Sequence, residues 1–235
     1  MFGATSAIAE QVARLYAAKG ARIFLAGRQR ERLDTIAQDL QVRGASAVST
    51  YGVDFDDVAA FGPMVEACGS PDRTLIAYGT LPDQQGAEGS ADLTAKALLT
   101  NFTSPAVLLN LLADRLHSGA AVAVITSVAG ERGRQSNYVY GAAKGGLSRF
   151  LEGLRHRLAP KGIRVIDVRP GFVDTPMTDG MDKKGPLWAK PERVARDIEK
   201  ALERRDGPIH TPWFWWGIMA IITRVPARIF HKTKL

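Results

Sequence analysis

The sequence predicts an α/β domain on a doubly wound parallel sheet. Three observations carry this. Short apolar runs, ARIFLA at 21–26, RTLIAY at 73–78, VAVI at 122–125 and IRVIDV at 163–168, alternate with longer segments whose apolar residues recur at helical spacing. Glycine or Pro-Gly follows several of these runs, where a strand turns over. The length, 235 residues with 46% hydrophobic, suits one large α/β domain with a substantial core.

Taken in order, only Met1 and Phe2 precede Gly3, so the first strand is expected to be truncated, with further apolar residues upstream in the natural chain. Without that strand its two neighbours would bury unpaired backbone groups. Ile8, Val12, Leu15 and Tyr16 then share one helix face. The start of that helix, with Thr5 and Ser6, suits either a pyrophosphate or an ordinary cap at Ser6, and the two can coexist. The strand 21–26 leads into Gly27-Arg28, and the helix from Glu31 turns Leu33, Ile36, Ala37 and Leu40 inward. Val48–Val53 is the next strand, ending at Asp54, with Asp56 expected to cap the helix after it. The strand 73–78 ends at Gly79. A long helix is expected from about 89 through Asn101 to 116; a mid-helix asparagine is unfavourable, so it marks either a kink used in catalysis or a satisfied core amide. The buried strand 122–125 leads to Ser127, and a helix follows over about 137–159. After the strand 163–168 and Pro170-Gly171, the Gly/Lys/Asp-rich stretch 177–190 reads as a lid. Pro191 opens a helix with Val194, Ile198, Ala201 and Leu202 inward, and 208–211 is a short last strand.

The chemistry concentrates in ITSVAGERGRQSNYVYGAAK, 125–144. Tyr140 and Lys144 are four apart, hence one turn apart on one helix face. Ser127 at a strand end can converge on the same volume. A neighbouring ammonium favours the phenolate and lowers a tyrosine pKa from its ordinary value of about 10. Tyr140 could then exchange a proton as a carbonyl and an alcohol interconvert, with Ser127 hydrogen-bonding the same oxygen. A lone YxxxK is weak; the order strand-Ser, helix-YxxxK, strand-Pro-Gly is far more specific.

That order resembles the short-chain dehydrogenase/reductase family over nearly the whole chain. The resemblance implies a Rossmann fold and a nicotinamide cofactor. It makes Ser127 the residue that orients substrate and Tyr140 the acid/base. Lys144 holds the nicotinamide ribose, and Asn101 is the fourth catalytic residue, supporting a relay water. The cofactor contacts it implies are Gly3, Thr5, Ser6, Ile8, Arg28, Asp54, Gly79, Tyr140, Lys144, Pro170, Gly171, Val173 and Thr175, with no metal. Two glycines of the family loop are Ala7 and Ala9 here, and the family's Asn-Ala-Gly is Ala77-Tyr78-Gly79. Arg28, where an acidic residue would bind the ribose of NAD, suits a 2′-phosphate, so NADP is expected and NAD stays open. Family members often pair through the tyrosine helix, implying a homodimer or homotetramer.

Residues 213–235 stand apart from the domain at 1–212. Trp213–Ile222 is apolar on every side yet too short to span a bilayer. Arg224, Arg228, Lys232 and Lys234 follow, no acidic residue comes after Asp206, and Pro226 should break or restart the helix. The tail fits either a membrane-interface segment or a subunit contact. The AGERGRQSNYVYGAAKGGL run and the VPARIFHK tail look like the bacterial decaprenylphosphoryl-2-keto-pentose reductases, implying a lipid-linked keto sugar as substrate, against a soluble carbonyl or 3-oxoacyl reductase, or a non-catalytic nucleotide-binding scaffold. Arg132 and Arg134 could meet such a phosphate. The net charge of +7 is spread along helices without a nucleic-acid motif, so no nucleic-acid partner is expected. A single cysteine, Cys68, allows no intrachain disulfide, and a cytoplasmic setting, peripheral at the inner face of the plasma membrane, is the expectation.

Overall fold

Every strand of the main sheet in the computed structural model, which describes residues 1–233, runs parallel to its neighbours. In chain order the elements are α1 (Ala7–Ala17), β1 (Arg22–Gly27), α2 (Arg30–Val42), β2 (Ala47–Gly52), α3 (Phe61–Cys68), β3 (Arg73–Ile76), α4 (Gln84–Gly89), α5 (Ala91–Leu98), α6 (Ser104–Ala113), β4 (Ala121–Ile125), α7 (Tyr138–Leu158), β5 (Arg164–Pro170), β6 (Phe172–Val173), β7 (Trp188–Ala189), α8 (Pro191–Arg204), β8 (Gly207–Thr211), α9 (Trp215–Ile222) and α10 (Ala227–Phe230).

β1 pairs with β2, and β3-β4-β5-β8 form a second run. Phe2 joins the two runs, bridging Ala26 on one side and Ile76 on the other. Its backbone N–H donates to Leu75 O (2.9 Å) and its carbonyl accepts from Ala77 N (2.8 Å), while Gly3 N donates to Ala26 O (2.9 Å). The central strand is thus reduced to a bridge, which suffices to aim Gly3 into the loop that follows. The Thr74 hydroxyl, near the start of β3, is buried without a partner.

The strand period of two sends side chains into separate cores. Ala121 and Ala123 face Val12, Leu33, Val194 and Ile198 from α1, α2 and α8. Val122 and Val124 face Met64, Leu108, Leu112 and Leu147 from α3, α6 and α7. This two-sided burial is why the strands read as continuous apolar runs.

Two local expectations change. The single helix expected over 89–116 is broken: α5 passes through a π-turn at Leu99–Thr103 into α6, which ends at Ala113. Asp56 does not cap a helix; it accepts the Thr100 hydroxyl (2.6 Å), and Asp57 receives Ala59 N instead. In the stretch 177–190, read as a lid, β7 pairs with β6, Lys183 bridges Asp174 (2.6 Å) and Asp179 (2.8 Å), and Met177 and Met181 line the cavity described below. The tail folds back on the domain as α9 and α10, with Pro226 at the N-cap of α10. Lys234 of its basic set lies outside the described residues. Among those described, no helix is long and apolar enough to cross a membrane.

Candidate active site

A cavity of about 450 Å³ opens beyond the C-terminal ends of the parallel strands, where this topology leaves a crevice. Gly3, Thr5, Ser6, Ile8, Arg28, Asp54, Gly79, Ser127, Tyr140, Lys144, Pro170, Gly171, Val173 and Thr175 all line it. Asn101 is the one expected site residue outside its wall.

At one end Gly3 turns with φ of +82°, and a Cβ there would meet Tyr78 N at 2.6 Å, so only glycine fits both demands. Ser6 occupies the N-cap of α1 but its hydroxyl makes no cap bond. The first-turn N–H groups, with the Thr5 and Ser6 hydroxyls beside them, therefore offer donors suited to phosphate. Ala7 lines the cavity, whereas the Ala9 methyl is buried in the α1/α2/α8 core. The missing glycine at 9 thus adds packing there. Arg28, just before the N-cap of α2, is joined by Arg32 from the first turn of that helix. Neither makes an ion pair among the described residues.

At the other end Ser127, just past β4, accepts Ala129 N (3.1 Å) on its hydroxyl. Lys144 is 3% exposed and donates to Ile125 O at 3.1 Å. Its Nζ lies 5.8 Å from the Tyr140 ring centroid. Close packing of α7 on the 128–131 turn sets these distances: a Cβ at Gly141 would meet Ala129 O at 2.8 Å, and one at Gly145 would meet Gly130 O at 2.7 Å. Burial pulls the Lys144 ammonium down to about 8, an effect opposed by the charge of Asp167. Asp167 is itself buried, holding the Thr126 hydroxyl (2.5 Å) and Arg169 (2.8 Å). The Tyr140 phenol is pushed up to about 12 by burial, with the Ser127 hydroxyl acting the other way. The direction is opposite to that expected from the lysine alone, because the buried phenolate loses more hydration than its neighbours restore.

Asn101 sits fully buried in the π-turn behind Gly79. Its Oδ1 accepts Thr80 N (3.1 Å) and its Nδ2 donates to Ala97 O (3.0 Å). The helix is interrupted at this residue and its amide is satisfied. A Cβ on Gly79 would stand 2.7 Å from Asn101 Oδ1 and 3.3 Å from Lys144 Nζ. Gly79 is thus where these two side chains converge. Tyr78, just before Gly79, is fixed by its own contacts: its ring stacks on Phe55 at 3.9 Å and its hydroxyl bonds Ser104 Oγ at 2.9 Å.

Sequence reasoning missed several wall residues. Arg32 had no helical signal, because Arg28 lies before the N-cap of α2. Thr80 had none beyond its loop, whereas Met177 and Met181 fall in the stretch read as a lid. The tail was not foreseen as part of the site. Trp215 is buried against Phe172, ring centroids 5.3 Å apart, and occupies the space a Cβ on Gly171 would need. Arg132 donates to Ile222 O (2.5 Å) and Val225 O (2.6 Å), closing the C-terminal end of α9, and stacks on Phe230. Arg134 lines the cavity and touches Met219 Sδ at 3.5 Å, but its Nε is buried without a partner, as are Asn137 Oδ1 and Trp215 Nε1. Burial pulls the Arg134 guanidinium below its ordinary value, and Glu131, whose charge opposes this, is already held by His210 (2.7 Å) and Arg169.

The short chain dehydrogenase family matches residues 1–185. An uncharacterized oxidoreductase of Mycobacterium tuberculosis is 39% identical over 238 residues, covering 99% of this chain and 95% of the relative. An uncharacterized oxidoreductase of Streptomyces coelicolor is 34% identical over 239 residues, covering 99% and 94%. Among solved structures, a short-chain dehydrogenase from Sphingobium yanoikuyae in complex with NADPH superposes with a TM-score of 0.82 at 22% identity, over 97% of this chain and 95% of that one, a likeness of fold. The chain belongs to the short chain dehydrogenase family of oxidoreductases.

Proposed function

We propose that this protein is an NADP(H)-dependent reductase that interconverts a ketone and a secondary alcohol. The observation that carries this is the convergence of Ser127, Tyr140 and Lys144 on one cavity wall, with Asn101 directly behind Gly79. When bound, the nicotinamide cofactor supplies or accepts the hydride. Tyr140 gives its phenolic proton to the substrate oxygen. A phenol raised to about 12 is protonated at neutral pH, the form that reduction requires, and remains a stronger acid than an aliphatic alcohol. Ser127 donates a hydrogen bond to the same oxygen. Lys144, at about 8, keeps its proton at neutral pH and stabilises the phenolate left behind. Asn101 fixes the backbone at Thr80 and so the floor beneath the lysine.

Arg28 and Arg32, without carboxylate partners among the described residues, favour a cofactor with a 2′-phosphate. Solved relatives of this fold hold NADPH, NADP or NAD. The finer reading is an amphipathic, phosphate-bearing substrate such as a polyprenyl-phosphate keto sugar. Arg134, unpaired at the substrate end, suits its anion, and the tail 213–235 would rest at the bilayer surface that holds its lipid. The assembly we propose is a homodimer or homotetramer through α7, read by light scattering. The experiment is a cofactor-oxidation screen over neutral ketones, 3-oxoacyl esters and polyprenyl-phosphate keto sugars. We expect NADPH to be preferred over NADH, and R28Q/R32Q to erase the preference. Oxidation of neither cofactor with any ketone class would defeat the reading.

A further inference from the structure

α9 has two apolar faces with different fates. One carries Trp215 and Met219 and is buried against Val128 and Phe172. The other is open: Trp213, just before the helix, is 72% exposed, Trp216 66% and Ile221 71%. Trp213, Trp216, Ile221 and Arg224 are thus turned to solvent, while Trp215 and Met219 of the same segment are buried. Two exposed tryptophans side by side are unusual for a protein surface in water and usual at a membrane interface.

Beside them lies a second, shallower cavity of about 380 Å³, walled by α8, β8 and the two tryptophans. Arg193, Lys200 and Arg205 line it, with one carboxylate, Asp197. Asp197 is engaged by Arg193 (3.4 Å) and the Thr211 hydroxyl (2.8 Å). His210, also in the wall, is held by Glu131. Lys200 and Arg205 are exposed and make no ion pair among the described residues. The pocket is therefore cationic at its mouth and aromatic at its rim.

We propose that this pocket is a headgroup site for an anionic phospholipid, and that it docks the outer face of α9 on a negatively charged bilayer. The inference rests on the tail reading above and adds residues of α8 and the chain after it, which that reading did not use. Lys200 and Arg205 meet the lipid phosphate while Trp213 and Trp216 sit at the acyl boundary. Because the opposite face of α9 packs behind Gly171, which lines the catalytic cleft, docking brings that cleft near the lipid, with α9, about 10–12 Å across, between them.

The test is flotation of the full chain with vesicles of phosphatidylcholine alone and of phosphatidylcholine mixed equally with phosphatidylglycerol. The wild type is expected to float with the mixed vesicles and lose this at high salt. At about 1 kcal/mol per cation, K200Q/R205Q should lower the partition coefficient roughly 30-fold, and W213A/W216A should abolish flotation. All these side chains are exposed, so both variants should keep the wild-type melting temperature. Undiminished flotation of K200Q/R205Q would overturn the headgroup site while leaving the tail reading standing. No flotation of the wild type with either vesicle would overturn both, and a W213A/W216A-sensitive dimer in sedimentation would then show that a second copy covers this face.

Discussion

Alanine at Gly171 tests how the tail is tied to the catalytic cleft. The added Cβ would overlap the Trp215 indole itself, not the end of a flexible chain. The ring must leave its place against Phe172, or the β5–β6 turn must move. Trp215 is 3% exposed, so its displacement is bounded by the cost of removing it. Truncating a buried tryptophan to alanine costs about 3–5 kcal/mol; its unpartnered Nε1 offsets part of that. G171A alone should thus cost about 2–4 kcal/mol, and W215A a similar amount. The two act on one contact, so they should not add: in the W215A background, alanine at 171 should cost under about 1 kcal/mol. Urea unfolding of the four proteins, followed by tryptophan fluorescence and far-ultraviolet dichroism, reads this coupling. If the double variant loses the sum of the single losses, the tail does not pack on Gly171 as described.

Alanine at Gly79 should push Asn101 from its bond to Thr80 N, lowering kcat by about 10²-fold as the lysine and tyrosine shift; steady-state kinetics checks it, and unchanged kcat counts against the convergence at Gly79. Lys144 gives a pH signature in stability. Its pKa falls from 10.5 to about 8 on folding, so between these values the unfolded chain binds more protons and stability should rise with pH. Below about 8 the burial cost is fully present. K144M should therefore be more stable than the wild type at pH 7, by roughly 3 kcal/mol at most, and the gap should close towards pH 10 in urea titrations. Phenylalanine at Tyr78 removes the hydroxyl bonded to Ser104 and should cost about 1 kcal/mol in the same titrations, while the Phe55 stack persists.

The strand and helix order was legible because the central strands β3, β4 and β5 are buried and the helices are covered on one face, so burial writes itself as apolar periodicity. Ser127, Tyr140 and Lys144 were legible because their spacing survives folding directly, through one strand end and one helical turn. Other features depend on contacts far apart in sequence. Nothing local to Asn101 tells a satisfied amide from a kink, and the chain uses both. Phe2 reads as a remnant, yet its two bridges join the halves of the sheet. Trp215 reads as part of a uniformly apolar tail; only the structure divides that tail into a face on Gly171 and a face turned outward. Tyr140 shows the limit for electrostatics: sequence spacing places the lysine nearby, but not the burial that outweighs it.

The central claim is that Tyr140 passes the proton. Single-turnover oxidation of bound NADPH, with the best ketone from the screen, tests this directly in the wild type and Y140F. The phenylalanine variant should bind NADPH, seen by its fluorescence, but slow the turnover by about 10²–10⁴-fold. Turnover by Y140F at the wild-type rate would contradict the account.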